Sequence, residues 1–103
     1  MLELQEDNLS SLLSDNEKVI VQYGASWCGV CRIIKPKFKD FSEKNEGVTF
    51  VYVDAEKYPK SREHAEITNL PTFASFKNGE LVTQKQGSNE KIIQEMIDEI
   101  TSN

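Results

Sequence analysis

The hydrophobic positions of this chain alternate between short apolar runs and one long segment with a helical period. The runs at residues 19–23 and 48–53 are rich in β-branched and aromatic residues, as expected of buried strands. Between them, from residue 28 to about residue 44, apolar side chains recur at helical spacing among charged ones. This strand–helix–strand order predicts parallel pairing through a right-handed crossover, and therefore an α/β fold.

The predicted long helix contains a proline and has a clear end signal. Pro36 lacks an amide donor and clashes with the preceding turn, so we expect a kink there. Residues 45–47, which include a glycine, are expected to end the helix. Its apolar positions are Ile33, Ile34, Phe38 and Phe41.

Shorter elements are predicted on either side of this unit. A weakly signalled first strand lies near residues 2–4, and Asp7 or Asn8 can cap a short helix after it. A further helix is predicted over residues 60–67, with Pro59 near its first turn. The apolar positions of the first short helix are Leu9, Leu12 and Leu13.

The last third of the chain predicts a hairpin and a terminal helix. Asn78-Gly79 is a strong turn signal between two strands at residues 72–77 and 80–86. Asn89 can cap the last helix, whose apolar side chains should face the sheet, with Met96 in the core. These side chains are Ile92, Ile93, Met96, Ile97 and Ile100.

Length, composition and charge limit the classes of protein to which this chain can belong. With 103 residues the chain is expected to form one domain over residues 1–103, and its 38% hydrophobic and 28% charged content is that of an ordinary globule. No apolar run approaches the roughly 18 residues of a membrane helix, and residues 1–7 do not resemble a secretory signal. We therefore expect a cytoplasmic protein without a membrane partner. The net charge of −5 argues against nucleic acid binding.

The strongest chemical signal is the Cys-x-x-Cys pair, Cys28 and Cys31, at the predicted start of the long helix. Unpaired amide donors and the helix dipole favour a thiolate there, so Cys28 is the expected nucleophile. The spacing lets Cys31 reach the sulfur of Cys28 and release a client from a mixed disulfide. Cys31 is therefore the expected resolving thiol.

Two other interpretations of the cysteines remain open at this point. They could form half of a zinc site, although a structural site takes about four ligands and only His64 is available as a further typical nitrogen ligand. They could also be plain core residues. We expect no metal, and we expect His64 to be exposed on its helix without a catalytic role.

Several separated motifs resemble the thioredoxin family, and the resemblance covers nearly the whole chain. A lone Cys-x-x-Cys would be unspecific, so the agreement among motifs carries the assignment. The matching motifs are Trp27-Cys28-Gly29-Val30-Cys31, Leu70-Pro71-Thr72, Phe76-Lys77-Asn78-Gly79-Glu80 and Gly87.

The resemblance implies a thioredoxin fold, in which a central five-stranded mixed β-sheet is flanked by four helices in three α/β/α layers. It also implies a cis peptide bond at Pro71 beside the active disulfide, where the backbone before the proline pairs with a client peptide. The apolar client surface around the disulfide would comprise Trp27, Gly29, Val30, Leu70, Pro71 and Gly87.

The chain departs from the family pattern at the active site. Val30 replaces the usual proline and restores an amide, which leads us to expect a weaker reductant. Gln22 stands where the family typically holds a buried aspartate, and Tyr52 matches the position of the lysine that often pairs with it. Lys35 matches a lysine of some thioredoxins near this pocket, although an ordinary solvated helix lysine is the interpretation we favour.

The leading hypothesis is a protein-disulfide reductase that holds no bound cofactor. The resemblance implies that NADPH, through a flavin-dependent thioredoxin reductase, restores the Cys28–Cys31 dithiol. Two alternatives remain: a specialised oxidoreductase for one dedicated client, and a binding module that acts irrespective of redox state. We expect a monomer, because no coiled-coil seam is visible.

Overall fold

The computed structural model describes residues 1–102 as five strands and four helices. None of these helices combines the length and the apolar character needed to cross a bilayer. In chain order the elements are β1 (Leu2–Glu3), α1 (Leu9–Asp15), β2 (Lys18–Gly24), α2 (Gly29–Lys44), β3 (Thr49–Asp54), α3 (Pro59–Arg62), β4 (Thr72–Lys77), β5 (Glu80–Gln86) and α4 (Glu90–Thr101).

The strands form one mixed sheet in the order β1-β3-β2-β4-β5. Strand β3 pairs in parallel with β1 and β2, as the crossover through α2 predicts, while β4 runs antiparallel to both β2 and β5. Asn78 and Gly79 turn the β4–β5 hairpin with φ angles of 54° and 84°. This left-handed backbone is the reason an Asn-Gly pair is favoured there.

Helices cover both faces of the sheet, which confirms the three-layer fold. Helix α1 and Tyr58 pack on one face against the odd-numbered residues of β2, and α2 and α4 pack on the other. Strand β2 lies between them with six of its seven residues buried, which explains its unbroken apolar run. Met96 is buried in the α2–α4 layer, as predicted.

The predicted cap of α1 is wrong in its details. Asn8 occupies the N-cap position, but its side chain makes no capping hydrogen bond. Asp7 instead accepts hydrogen bonds from the backbone N–H groups of Lys60 and Ser61, at 3.0 and 2.7 Å, at the start of α3. Partial desolvation alone would raise the pKa of Asp7, but these bonds and one from the Ser61 hydroxyl outweigh it and lower the pKa.

The helix predicted over residues 60–67 is also wrong, because α3 ends at Arg62. Beyond that point a tertiary partner takes the backbone groups that a helix would use. The Gln84 amide on β5 donates to the Glu66 C=O at 2.6 Å and accepts from the Glu66 N–H at 2.8 Å. A side chain 18 residues away therefore replaces the local helical bonds.

The end of β2 requires a glycine because Tyr52 of β3 approaches it closely. A Cβ placed on Gly24 would meet the Tyr52 hydroxyl and lie 3.0 Å from two carbons of its ring. We expect Gly24→Ala to destabilise the fold by about 1–3 kcal/mol in denaturant unfolding, with partial recovery when Tyr52→Phe removes the hydroxyl. Gly47→Ala is the control, since a Cβ there meets nothing within 4 Å. Equal effects at Gly24 and Gly47 would contradict this interpretation.

Candidate functional site

Cys28 and Cys31 lie where the chain passes from the centre of the sheet into α2. Cys28 is the N-cap residue of α2, with an extended backbone (φ −86°, ψ 102°), and Cys31 lies in the first helical turn. The two sulfurs form a disulfide, with the Cα atoms 5.3 Å apart. Both cysteines thus follow the carboxyl end of the buried strand β2, as the sequence predicted.

The first turn of α2 directs a hydrogen bond at the sulfur of Cys28. The backbone N–H of Cys31 donates to the Cys28 Sγ at 3.2 Å, in the position where a side chain normally caps a helix. This donor and the positive end of the helix dipole both stabilise negative charge on that sulfur. Cys28 is 4% exposed whereas Cys31 is fully buried, so the more accessible residue is also the better stabilised thiolate.

Large apolar side chains are exposed around the disulfide. Trp27, Val30 and Ile33 are 66%, 46% and 67% exposed. Ile33 is one of the apolar positions at helical spacing, and it lies in solvent three residues after Val30. Exposed apolar side chains grouped on one surface mark interaction sites. Helical spacing alone did not show that Ile33 lies outside the buried face of the helix.

The segment before β4 closes the other side of the site. Leu70 packs against Cys28 and Cys31, and the Leu70–Pro71 peptide bond is cis, as the resemblance implied. Pro71 is buried, and its C=O accepts a hydrogen bond of 3.1 Å from the N–H of Gly87. Gly87 has a φ angle of 122°, which side-chain-bearing residues rarely adopt. A backbone hydrogen bond therefore joins the Leu70-Pro71-Thr72 motif to Gly87 beside the disulfide.

Gln22 lies buried directly behind the cysteine pair. Its Nε2 donates to the C=O of Cys31 at 3.1 Å, and its Oε1 has no hydrogen-bond partner among residues 1–102. Tyr52 is its lateral neighbour in the parallel β2–β3 register. Gln22 thus holds the backbone of Cys31 through a neutral contact, in place of the charge that the family usually has there.

Lys35 is half-buried and contacts the edge strand β1, so it is less solvated than the ordinary helix lysine that we favoured. Its Nζ forms an ion pair with Glu3 of β1 and lies 4.1 Å from the centroid of the Tyr52 ring. Desolvation lowers the pKa of Lys35 from its ordinary value. Lys35 is therefore held beside Tyr52, the neighbour of Gln22 in the sheet.

The effect of replacing Gln22 by aspartate follows from its burial. Burial raises the pKa of a carboxyl group, and Lys35 beside Tyr52 is already paired with Glu3, so the new side chain should titrate in or near the assay range. We expect Gln22→Asp to change the pH–rate profile of disulfide reduction below about pH 9, where thiols also titrate. The variant should also lose stability as the pH rises from about 4 through the raised pKa, because the neutral acid is the favoured buried form.

Gln22→Asn is the matched control, since it keeps a neutral amide in the same place. It should leave the shape of the pH–rate profile unchanged while altering the rate itself. If Gln22→Asp has the pH–rate profile of the parent protein, the pocket around residue 22 does not influence proton transfer in the reaction.

Sequence reasoning missed Glu56, which holds the exposed tryptophan. The Trp27 Nε1–H donates to the Glu56 Oε1 at 2.5 Å, although 29 residues separate them. Both residues border a cleft of about 280 Å³ that also reaches Leu70. The loop that carries Glu56 is ordered by Asp54, whose carboxylate accepts the Glu56 N–H at 3.0 Å. No local pattern in the sequence signals this pair.

His64 lies away from the cysteines and was wrongly expected to be exposed on a helix. It is half-buried beyond the end of α3, with its ring edge-to-face against Phe76 at 6.4 Å. Within residues 1–102, no group of three or more His, Cys, Asp or Glu side chains is placed to hold a metal ion.

Comparison with known proteins agrees with this geometry over almost the whole chain. The family model described as Thioredoxin matches residues 1–99. A thioredoxin of Ovis aries is 37% identical over 91 residues, which cover 87% of each chain. The X-ray structure of Fasciola hepatica thioredoxin is 30% identical, with a TM-score of 0.90 and coverage of 98% of this chain and 100% of that one.

A crystal structure of Schistosoma mansoni thioredoxin is 39% identical, with a TM-score of 0.88, and the match covers 95% of this chain and 93% of that one. Sequence, fold and the disulfide-forming pair at the start of α2 therefore agree. The chain belongs to the thioredoxin family of thiol–disulfide oxidoreductases.

Proposed function

We propose that this protein is a general dithiol reductant of protein disulfides, with Cys28 as nucleophile and Cys31 as resolving thiol. The Cys28 thiolate attacks one sulfur of a client disulfide, and the other client sulfur leaves as a thiolate. The Cys31 thiolate then attacks the Cys28 sulfur, which releases the second client thiolate and forms the Cys28–Cys31 disulfide. Two electrons pass to the client in each cycle.

One observation carries this assignment of roles: the Cys28 Sγ accepts the N–H of Cys31 at the N-cap position of α2. A helix N-terminus favours the thiolate over the thiol, and the thiolate is the nucleophile of disulfide exchange. The complete burial of Cys31 supports its second role, because it reacts only with a sulfur already bound to Cys28. The exposed Trp27 and Val30 supply the apolar surface for the client.

The cycle needs an electron source, which we propose to be NADPH through a flavin-dependent thioredoxin reductase. The protein itself then carries electrons as a dithiol and needs no resident cofactor. We further propose that it works as a monomer in the cytoplasm, where thiols are kept reduced. Light scattering of the purified protein and fractionation of the source cells test these two points.

Competition for alkylation tests the roles of the two cysteines. In the reduced protein, Cys28 should react with iodoacetamide near neutral pH at least about tenfold faster than Cys31, because one is a stabilised thiolate and the other a buried thiol. Consumption of NADPH with a thioredoxin reductase and a protein disulfide tests the cycle. Faster labelling of Cys31, or no turnover with any reductase, would overturn the respective part of the proposal.

The presence of Val30 predicts whether the reduction potential lies above or below that of ordinary thioredoxin. Its N–H adds a donor to the first turn of α2, and Val30→Pro removes that donor. Because thiolate stabilisation raises the potential, we expect the parent protein above the roughly −270 mV typical of thioredoxin. Val30→Pro should lie about 10–30 mV lower, the equivalent of one weak hydrogen bond.

Equilibration with glutathione buffers, followed by Trp27 fluorescence, measures both potentials. Val30→Ala is the matched control, since it shortens the side chain but keeps the amide. A parent value at or below that of ordinary thioredoxin, or equal shifts for the two variants, would refute the role of the amide.

A second candidate is an oxidoreductase for one dedicated client, favoured by Val30 on the exposed surface and by the neutral Gln22 behind Cys31. A client trapped by Cys31→Ser that proves to be one dominant species would support it. A role that persists in the double variant Cys28→Ser/Cys31→Ser would instead support a binding module.

A further inference from the structure

A groove of about 760 Å³ runs between the edge strand β1 and one face of α2. The helix contributes residues spaced by three and four positions, which therefore lie on one face. The strand contributes Leu2 and Glu3, and within residues 1–102 β1 pairs only with β3. The helical residues of the lining are Arg32, Lys35, Pro36 and Lys39.

The charge of this groove opposes that of the protein as a whole. Three lining side chains are basic and one is acidic, whereas the chain carries a net charge of −5. Glu3 is engaged by Lys35. Arg32 and Lys39 are exposed, and neither has an ion-pair partner among residues 1–102. The groove thus offers two unpaired cations, with the exposed apolar side chains of Leu2 and Pro36 nearby.

The groove begins one helical turn from the nucleophilic cysteine, because the N–H of Arg32 donates to the C=O of Cys28 at 3.3 Å and residues four apart share a face of a helix. From Arg32 to Lys39 the helix extends about 10 Å, at about 1.5 Å per residue. An extended peptide covers that length with about three residues. A chain bound at the disulfide can therefore continue along the groove.

We propose that this groove binds an acidic segment of the disulfide client, with carboxylates at Arg32 and Lys39 and an apolar side chain against Leu2 and Pro36. The inference rests on the proposed function, since it assigns a specificity element to the same reaction. Complementary charge is the argument for a peptide of this composition: each exposed ion pair contributes modestly, and together they raise the association rate.

The test uses two disulfide peptides that differ only in charge. One carries three consecutive Asp or Glu residues beside its cysteine, and the other carries Asn or Gln there. We expect the parent protein to reduce the acidic peptide with a kcat/KM about fivefold higher at low salt, and the preference should shrink as salt rises. The double variant Arg32→Glu/Lys39→Glu should lose or invert this ratio.

The matched control is Lys44→Glu/Lys91→Glu, which changes the net charge equally at exposed lysines outside the groove lining. This control variant should keep most of the preference for the acidic peptide. Using the ratio of the two peptides cancels any effect of Arg32→Glu on the neighbouring cysteines. The proposal is overturned if the parent protein shows no preference, or if the two double variants reduce it equally.

A binding experiment that needs no disulfide exchange distinguishes a failure of the groove proposal from a failure of the proposed reaction. A fluorescent acidic peptide with serine in place of its cysteine is titrated into the oxidised protein, and backbone amide shifts are followed by NMR. Perturbations at Leu2, Lys35 and Lys39 that Arg32→Glu/Lys39→Glu abolishes would support the groove even without turnover. Perturbations confined to Trp27 and Val30 would refute it.

Discussion

With Cys31 replaced by serine, the protein should stop after its first chemical step and accumulate as a mixed disulfide with its client. Cys28 keeps its hydrogen bond from the N–H of residue 31, since that donor belongs to the backbone. The sulfur that would displace the client is absent. We expect protein-disulfide turnover to fall at least about a thousandfold, with a Cys28-linked adduct visible by non-reducing mass spectrometry.

Cys28→Ser should lose turnover to the same extent but form almost no adduct, because the remaining Cys31 is fully buried. This difference between the variants separates a nucleophile from a resolving thiol, which a loss of activity alone does not. Circular dichroism checks that both variants fold. An adduct that forms through Cys31 as fast as through Cys28 would reverse the assigned roles.

The largest loss of stability is expected when the ring of Phe38 is removed. Phe38 is fully buried where α2 meets the sheet, with its ring 5.1 Å from that of Phe50 and 5.6 Å from that of Phe73. Phe38→Ala leaves a cavity between three elements, so we expect the free energy of unfolding to fall by about 3–5 kcal/mol. Denaturant unfolding of the oxidised protein measures it.

Phe41 provides the control within the same helix. It is only half-buried at the edge of the same core cluster, so Phe41→Ala removes an identical ring from a site that water already reaches. Phe41→Ala should lower the free energy of unfolding clearly less than Phe38→Ala does. Equal losses for Phe38→Ala and Phe41→Ala would mean that cavity formation does not determine the stability of this layer.

Much of the fold was predictable because its causes are local. The apolar runs that became β2 and β3, the Asn78-Gly79 turn and the Asn89 cap each follow from neighbouring residues. The Asn89 side chain does accept the Lys91 N–H at 2.9 Å, as a cap should. Five strands, four helices and the cis Leu70–Pro71 bond agree with the family resemblance.

Two wrong predictions share one cause, which is a partner distant in sequence. Gln84 ends the helix expected over residues 60–67, and Asp7 caps α3 instead of α1. Ile33 fits the helical period but is 67% exposed. A periodicity shows which residues share a face of a helix, but not how far the neighbouring layer extends.

The sequence by itself determined the chemistry of this protein, because a Cys-x-x-Cys pair between a buried strand and a helix makes one sulfur a helix cap through local geometry alone. Only the tertiary structure decided what surrounds that sulfur. Glu56 reaches Trp27 across 29 residues and Glu3 reaches Lys35 across 32, and neither pair leaves a periodic trace in the chain. Such contacts depend on how loops and edge strands meet, which packing of the whole sheet determines.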